Sequence, residues 1–228
     1  MWAGHTSFLG ALILTAPFFA GGPLFAERPP DALKTLAQMS SRAAELTSYS
    51  ATFIKQERLG DVLAPEEEIE LVVANPREMR MRWVGERFKG QEIVFDGTKG
   101  VIRGHRGGLL AFFTFTLSPT DPRAASGNHH PITDHGIGKL AERVASTISG
   151  AAVLKTALEE CAGYMCIRIR ADFEDTESAL ATVIVCVDRQ TMLPVALELY
   201  DPPDTLYERY EYRDLKIGVA ARPDRAGL

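Results

Sequence analysis

Between Tyr49 and Gly104 the sequence alternates apolar and polar residues in five short runs, each cut from the next by Gly, Pro, Asn or Asp. Successive side chains on a β-strand point to opposite faces. Alternation bounded by turn residues therefore specifies a half-buried antiparallel meander. One face gathers Ile69, Leu71 and Val73, then Met79, Met81 and Trp83, then Ile93 and Phe95. The other gathers Glu66, Glu68, Glu70, Arg80, Arg82, Glu92 and Asp96. Such a sheet has an oily side that something must cover, and what covers it determines the function.

Two amphipathic helices are the available covers. Asp31 is placed to cap a helix over residues 32–47, with Leu33, Leu36, Ala43 and Leu46 on its apolar stripe. A second helix places Ile137, Leu140, Ala141, Val144 and Ile148 at helical spacing, with Thr133 or Asp134 as its cap and Gly150 at its end. Turns are expected at Gly60–Asp61, Asn75–Pro76, Gly85 and Asp96–Gly97, the last favouring positive-φ hairpin geometry. Five further strands are expected at 152–160, 164–173, 181–188, 192–200 and 206–216. Runs of strands interrupted by isolated helices indicate a mainly β, α+β fold: one curved antiparallel sheet, an incomplete barrel, enclosing the helices.

The segment between the two strand-rich halves carries Leu109, Leu110, Phe112, Phe113, Phe115 and Leu117. Two readings stand: a fully buried strand or interior plug, and an aromatic lid over a cavity, moving on Gly107–Gly108.

With 228 residues, 46% of them hydrophobic and 24% charged, the chain can bury a full core. Its net charge of −5, with both signs interspersed, argues against a nucleic-acid partner. Residues 1–26 hold the longest apolar run, broken by Pro17, Gly21, Gly22 and Pro23 and followed by polar residues, as in a secretory signal peptide or an N-terminal anchor. Residues 27–217 are expected to form one domain and 218–228 a short polar tail. Export permits a disulfide among Cys161, Cys166 and Cys186. Cys161 and Cys166 flank what reads as a four-residue hairpin loop, and Cys166 and Cys186 sit on successive strands. Their spacing fits a structural bridge or buried thiols and no zinc site.

His129, His130, Asp134 and His135 raise a metal or acid–base centre. No nucleophile motif and no H-E-x-x-H accompany them, and no phosphate-cradling glycine loop is present. Histidines positioning the start of a helix are the better account, so neither catalysis nor a cofactor or metal is expected.

Tyr49, Ala51, Phe53 and Gln56, then Pro76, Arg80 and Trp83, then Asp96 and Gly97 resemble the opening of the bacterial lipoprotein-carrier superfamily of LolA, LolB and relatives. His130, Pro131, Ile132, Thr133, Gly136, Ile137 and Gly138 do not belong to the carrier pattern. They resemble the mark of an exported branch with the same fold, known only as a domain of unknown function. The resemblance covers Leu33 to Lys216. It implies a half-barrel with helices on its concave side, and a cavity that in the carriers takes lipoprotein acyl chains. The chain departs from the carriers in its aromatic segment and its Arg103–His105–Arg106 loop.

Exposing an acyl chain to water costs about 0.8 kcal/mol per methylene, roughly 12 kcal/mol for sixteen carbons. A carrier offsets this with an adaptable apolar lining. The candidate lining is Ile69, Leu71, Val73, Met79, Met81, Trp83, Ile93, Phe95, Leu109, Leu110, Phe112, Phe113 and Phe115. The alternative is that these residues simply pack against the helices as a closed core. The expected protein is a periplasmic or otherwise exported monomer that binds a lipid or lipoprotein acyl chain. A sensor or protein-interaction module with an envelope protein as partner is the second reading.

Overall fold

The computed structural model describes Met1 and residues 30–74, 77–108, 112–125, 127–174 and 180–218. The expected export segment after Met1, the Asn75–Pro76 turn, Leu109, Leu110 and the tail after Gly218 lie outside the described residues.

Helix α1 (Ala32–Glu45) begins where the Asp31 carboxylate accepts a hydrogen bond from Lys34 N at 2.8 Å. That bond satisfies one of the amides a helix start leaves free. The helix buries Thr35, Leu36, Met39 and Ala43. Leu33, expected on this stripe, is 69% exposed. It projects about 60° beyond the nearest edge of the arc those four residues define.

Seven strands follow: β1 (Ser48–Leu59), β2 (Val62–Leu63), β3 (Glu67–Ala74), β4 (Glu78–Trp83), β5 (Glu92–Asp96), β6 (Val101–His105) and β7 (Thr114–Leu117). Short 3-10 turns at 122–124 and 132–134 lead to helix α2 (Ile137–Ile148). The chain then returns as β8 (Val153–Cys161), β9 (Tyr164–Asp172), β10 (Thr182–Asp188), β11 (Pro194–Asp201) and β12 (Thr205–Ile217).

All strand pairs are antiparallel, in the order β7-β6-β5-β4-β3-β1-β12-β11-β10-β9-β8, with β2 paired to β1. The first long strand and the last therefore form the central seam, and the sheet is open between β7 and β8. This is the curved antiparallel half-barrel expected from the sequence. Both helices lie on its inner face, where Met39, Leu140 and Val144 join Phe53, Ile69, Leu71, Met81, Val183 and Tyr212 in one core. Each fully buried aliphatic side chain of this size contributes about 1.5–3 kcal/mol. On the outer face, Arg82 pairs with Glu70 and Arg80 makes a two-pronged contact with Glu92 at 2.9 and 3.0 Å.

Several local expectations are corrected. The start of α2 is not capped by Thr133 or Asp134, which lie in the preceding 3-10 turn. Gly136 is the N-cap, and the Ile137 amide donates to the Tyr49 hydroxyl at 2.8 Å. In the β5–β6 hairpin the positive φ falls on Gly100, not Gly97, because Asp96 Oδ1 accepts from the Thr98 and Lys99 amides and widens the loop. Residues 112–117 are not a buried plug: Phe112 and Phe113 are 74% and 61% exposed, while Phe115 and Leu117 are half-buried. β7 begins only at Thr114, so these two rings precede the alternation that turns Phe115 inward. Gly107 lies hard against the Lys89 carbonyl, where a Cβ would meet the oxygen at 1.9 Å, so close backbone approach accounts for that glycine.

The disulfide joins Cys161 to Cys186, not to Cys166. The hairpin loop is two residues, Ala162–Gly163, both at positive φ, so Cys161 faces Tyr164 and Cys166 faces Glu159. Cys166 is left as a buried thiol. Burial, with the Asp188 charge, pushes it up to about 12, which keeps it protonated and unreactive at neutral pH.

Candidate functional site

The inner face turns from oily to charged at one end of the central seam. Period two carries β1 through Tyr49, Ala51 and Phe53 to Lys55 and Glu57, which are 3% and 2% exposed. The same end of β3 presents Glu67, and that of β12 presents Glu208 below Tyr210 and Tyr212. Register sets Lys55 opposite both Glu67 and Tyr210, and sets Glu57 opposite Glu208. Like charges directly opposed on a sheet repel, and buried carboxylates need partners.

The partners come from the strands and from the segment before α2. Lys55 Nζ lies 3.3 Å from Glu57 and 3.9 Å from Glu67, and donates to Asn128 Oδ1. The Tyr210 hydroxyl donates to Glu57 Oε1, and the His129 amide donates to Glu57 Oε2 at 3.2 Å. His135 Nε2 stands 3.9 Å from Glu57 with no hydrogen-bond partner among the described residues. Trp83 Nε1 donates to Glu67 at 2.8 Å. Glu208 Oε1 meets His129 Nδ1 at 2.8 Å and His130 Nε2 at 3.0 Å, with Arg143 of α2 at 3.8 Å from its other oxygen. His129 Nε2 also sits 2.7 Å from the Arg58 carbonyl, and its ring stacks on Tyr207 with centroids 4.1 Å apart. Both of its nitrogens therefore face oxygen atoms.

Burial opposes ionisation of Glu57, but His135, Lys55 and Tyr210 outweigh it and hold the carboxyl far below its ordinary value of 4.5. Burial likewise opposes ionisation of Glu208, and His130, Arg143 and His129 pull it below 4.5. Both groups therefore bind protons less readily folded than unfolded. Their stabilisation is complete above the ordinary carboxylate value and is lost as pH falls through the lowered ones. Denaturant titrations across pH 2–7 are expected to show unfolding free energy falling with acid from about pH 4.5 downward. Glu57→Gln flattens that slope, and an unchanged slope would remove Glu57 from the account.

The segment at residues 127–132 is a wall between two cavities. One, of ≈ 910 Å³, is lined on the sheet side by Trp83, Ile93, Ile102, Phe115 and Leu117 and on the wall side by Gly127, Asn128 and Ile132. Its exposed lining, Phe88, Lys89, Arg106 and Gly108, marks its mouth. The other, of ≈ 410 Å³, has His129, His130, Arg143 and Glu208 at one side and Val144, Leu180, Val183, Leu197 and Leu199 at the other. A third, of ≈ 400 Å³, lies between the helices and the sheet, beside Tyr49, Val73, Met79, Thr133, Gly136 and Gly138.

The residues expected to line a lipid cavity are thus divided. Trp83, Ile93 and Phe115 line the ≈ 910 Å³ hollow, and Val73 and Met79 the third cavity. Ile69, Leu71 and Met81 are fully buried in the core, Phe95 packs half-buried against it, and Phe112 and Phe113 face outward. His130, Pro131 and Ile132 belong to the wall and its 3-10 turn. His129 and His130 are spent on Glu208 and Arg58, His135 Nδ1 sits 3.2 Å from the Ile132 carbonyl, and among the described residues no three His, Cys, Asp or Glu are placed to hold a metal ion. Lys55, Glu57, Glu67, Arg143 and Glu208 were not singled out from the sequence. For the four strand residues the signal was the parity of β1, β3 and β12, which leaves a charge on the inner face of each strand at the same end.

A family model described as "Protein of unknown function (DUF1571)" matches residues 46–224. Comparison with curated proteins gives no match. Among solved structures, MucB is similar at 20% identity and a TM-score of 0.50, over 85% of this chain and 61% of that one. The Pseudomonas aeruginosa MucA/MucB complex is similar at 18% identity and a TM-score of 0.48, over 86% and 60%. A LolA superfamily protein from Nitrosomonas europaea is similar at 11% identity and a TM-score of 0.36, over 82% and 94%. The chain spans about three fifths of the MucB chains it matches.

Proposed function

Since the chain belongs to the DUF1571 family of proteins of unknown function, we propose that it is an exported, non-catalytic binding protein of the cell envelope whose half-barrel holds a lipid or lipoprotein acyl chain. The carrying observation is the ≈ 910 Å³ hollow between the sheet and the 127–132 wall, roofed by Trp83, Ile93, Ile102, Phe115 and Leu117. Its volume falls within the about 300–1,000 Å³ of ordinary ligand sites, and an apolar surround with a polar rim suits an amphiphile. Residues 1–26 supply the export signal in this reading.

The test is organic extraction of the purified protein followed by mass spectrometry, with thermal melts in added palmitate. Near-stoichiometric acylated lipid is expected, together with a rise in Tm on adding palmitate. Leu117→Arg, which puts a charge into the hollow at a half-buried site, should lower the lipid content several-fold. A lipid-free protein whose Tm ignores palmitate would sink the reading and leave a module that binds an envelope protein.

A further inference from the structure

Phe88 stands exposed at the mouth of the ≈ 910 Å³ hollow, and Phe112 and Phe113 stand exposed just before β7. Phe112 and Phe113 have ring centroids 4.3 Å apart, so they form one apolar knob. Phe113 directly precedes Thr114, which pairs with His105, so the knob lies alongside Arg106 at the cavity mouth. Phe88, also exposed and at positive φ, lines that mouth with the Arg87 guanidinium 4.8 Å above its ring. Holding such rings in water is unfavourable, and large exposed apolar groups gathered at one spot mark a surface that meets something.

The charges around the rings favour one occupant. Arg87, Lys89, Arg106 and Arg123 line this hollow against Glu67 and Glu86; Arg123 is paired with Asp121, so the cations beside the rings are Arg87, Lys89 and Arg106, on a chain whose net charge is −5. Glu67 is buried and shared among Trp83, Lys55 and Arg87, and Glu86 pairs with Lys89 at 3.2 Å, so Arg106 is the rim cation with no ion pair among the described residues. Aromatic rings flanked by Lys and Arg suit the boundary between acyl chains and anionic headgroups.

We infer that the Phe88, Phe112–Phe113 and Arg87, Lys89, Arg106 face docks on an anionic lipid bilayer, presenting the mouth of the hollow to the membrane surface. The inference deepens the lipid-binding reading, but its test does not require the hollow to be filled.

The test attaches a polarity-sensitive fluorophore at Phe113→Cys and, as a control, at Lys155→Cys on β8, the other end of the sheet. The buried Cys166 thiol and the Cys161–Cys186 bridge leave the introduced cysteine as the reactive one. Each full-length protein is mixed with vesicles of phosphatidylcholine alone or with about one third phosphatidylglycerol. With the anionic vesicles a blue shift is expected at position 113 and none at 155. Raising salt to about 0.5 M should weaken it, since the Debye length then shortens. Phe88→Ser/Phe112→Ser should raise the lipid concentration for half-maximal shift by roughly tenfold or more. Its unchanged Tm would show that folding is intact.

Equal shifts at both positions would overturn the inference, because the chain would then meet the membrane without using this face. A shift at 113 without vesicles, dependent on protein concentration, would overturn it in favour of a second copy of the chain. Lipid found by extraction alongside no vesicle response would reject the docking face and leave the lipid-binding reading standing.

Discussion

Replacing Lys55 by Met is expected to lower the unfolding free energy by about 3–5 kcal/mol at pH 7, the usual range when one partner of a buried ion pair is removed. Met matches the length of the lysine stem and keeps its apolar contacts. It removes only the ammonium that lies between Glu57 and Glu67 and donates to Asn128. Glu57 would keep the Tyr210 hydroxyl and the His129 amide, and Glu67 would keep Trp83 and, at 3.9 Å, Arg87, but the two carboxylates would lose the buried cation they share. The penalty should shrink as pH falls, because protonating the carboxyls removes what the lysine neutralised. Lys55→Met/Glu57→Gln should recover part of the loss, the sign of a coupled pair. By contrast Lys99→Met, whose partner Asp96 is on the surface, should cost less than about 1 kcal/mol. Denaturant melts of the four proteins decide it. A Lys55→Met cost as small as that of Lys99→Met would mean that water reaches the cluster.

This cluster also shows where reading the sequence stops. The fold was legible because its signals are local. Alternation at Ile69, Leu71 and Val73, helical spacing at Leu140, Ala141 and Val144, and the Asp31 cap each specify an element without reference to the rest of the chain. The charged end of the concave face needs two non-local facts. The β1–β12 pairing brings Glu57 opposite Glu208 across about two thirds of the chain's 228 residues, and the wall segment folds back to place His129 between Glu208 and Arg58. The histidines of the 126–136 stretch were visible, but their acceptors were not. The same limit misdirected the disulfide, since a loop of two residues rather than four moves Cys166 away from Cys161. From the sequence Phe112 and Phe113 fit either a buried plug or an aromatic lid, because composition counts apolar residues without saying where a strand begins.

Phe53→Ala is expected to cost about 3–5 kcal/mol, and Phe115→Ala on the same concave side only about 1 kcal/mol. The two residues differ in what surrounds them. Phe53 is fully buried at the central seam, its ring stacked on Tyr212 at 4.9 Å and within 5.7 Å of both Tyr210 and His135. Those neighbours are themselves held: the Tyr212 hydroxyl donates to the His135 carbonyl at 2.8 Å, one residue before the Gly136 cap of α2. Truncating Phe53 therefore opens a cavity that cannot collapse without moving the start of the helix. Phe115 is half-buried on an end strand and already borders the ≈ 910 Å³ hollow, so its removal enlarges a space that exists. A solidly packed interior would make the costs converge, since each lost ring would then leave a new void. A gap of about 2 kcal/mol or more between the variants, measured on lipid-extracted protein, is what an interior packed at its seam and hollow beneath β5–β7 requires. Added palmitate should stabilise the Phe53→Ala protein no less than the wild type, because the seam stands apart from the lining that would meet the ligand.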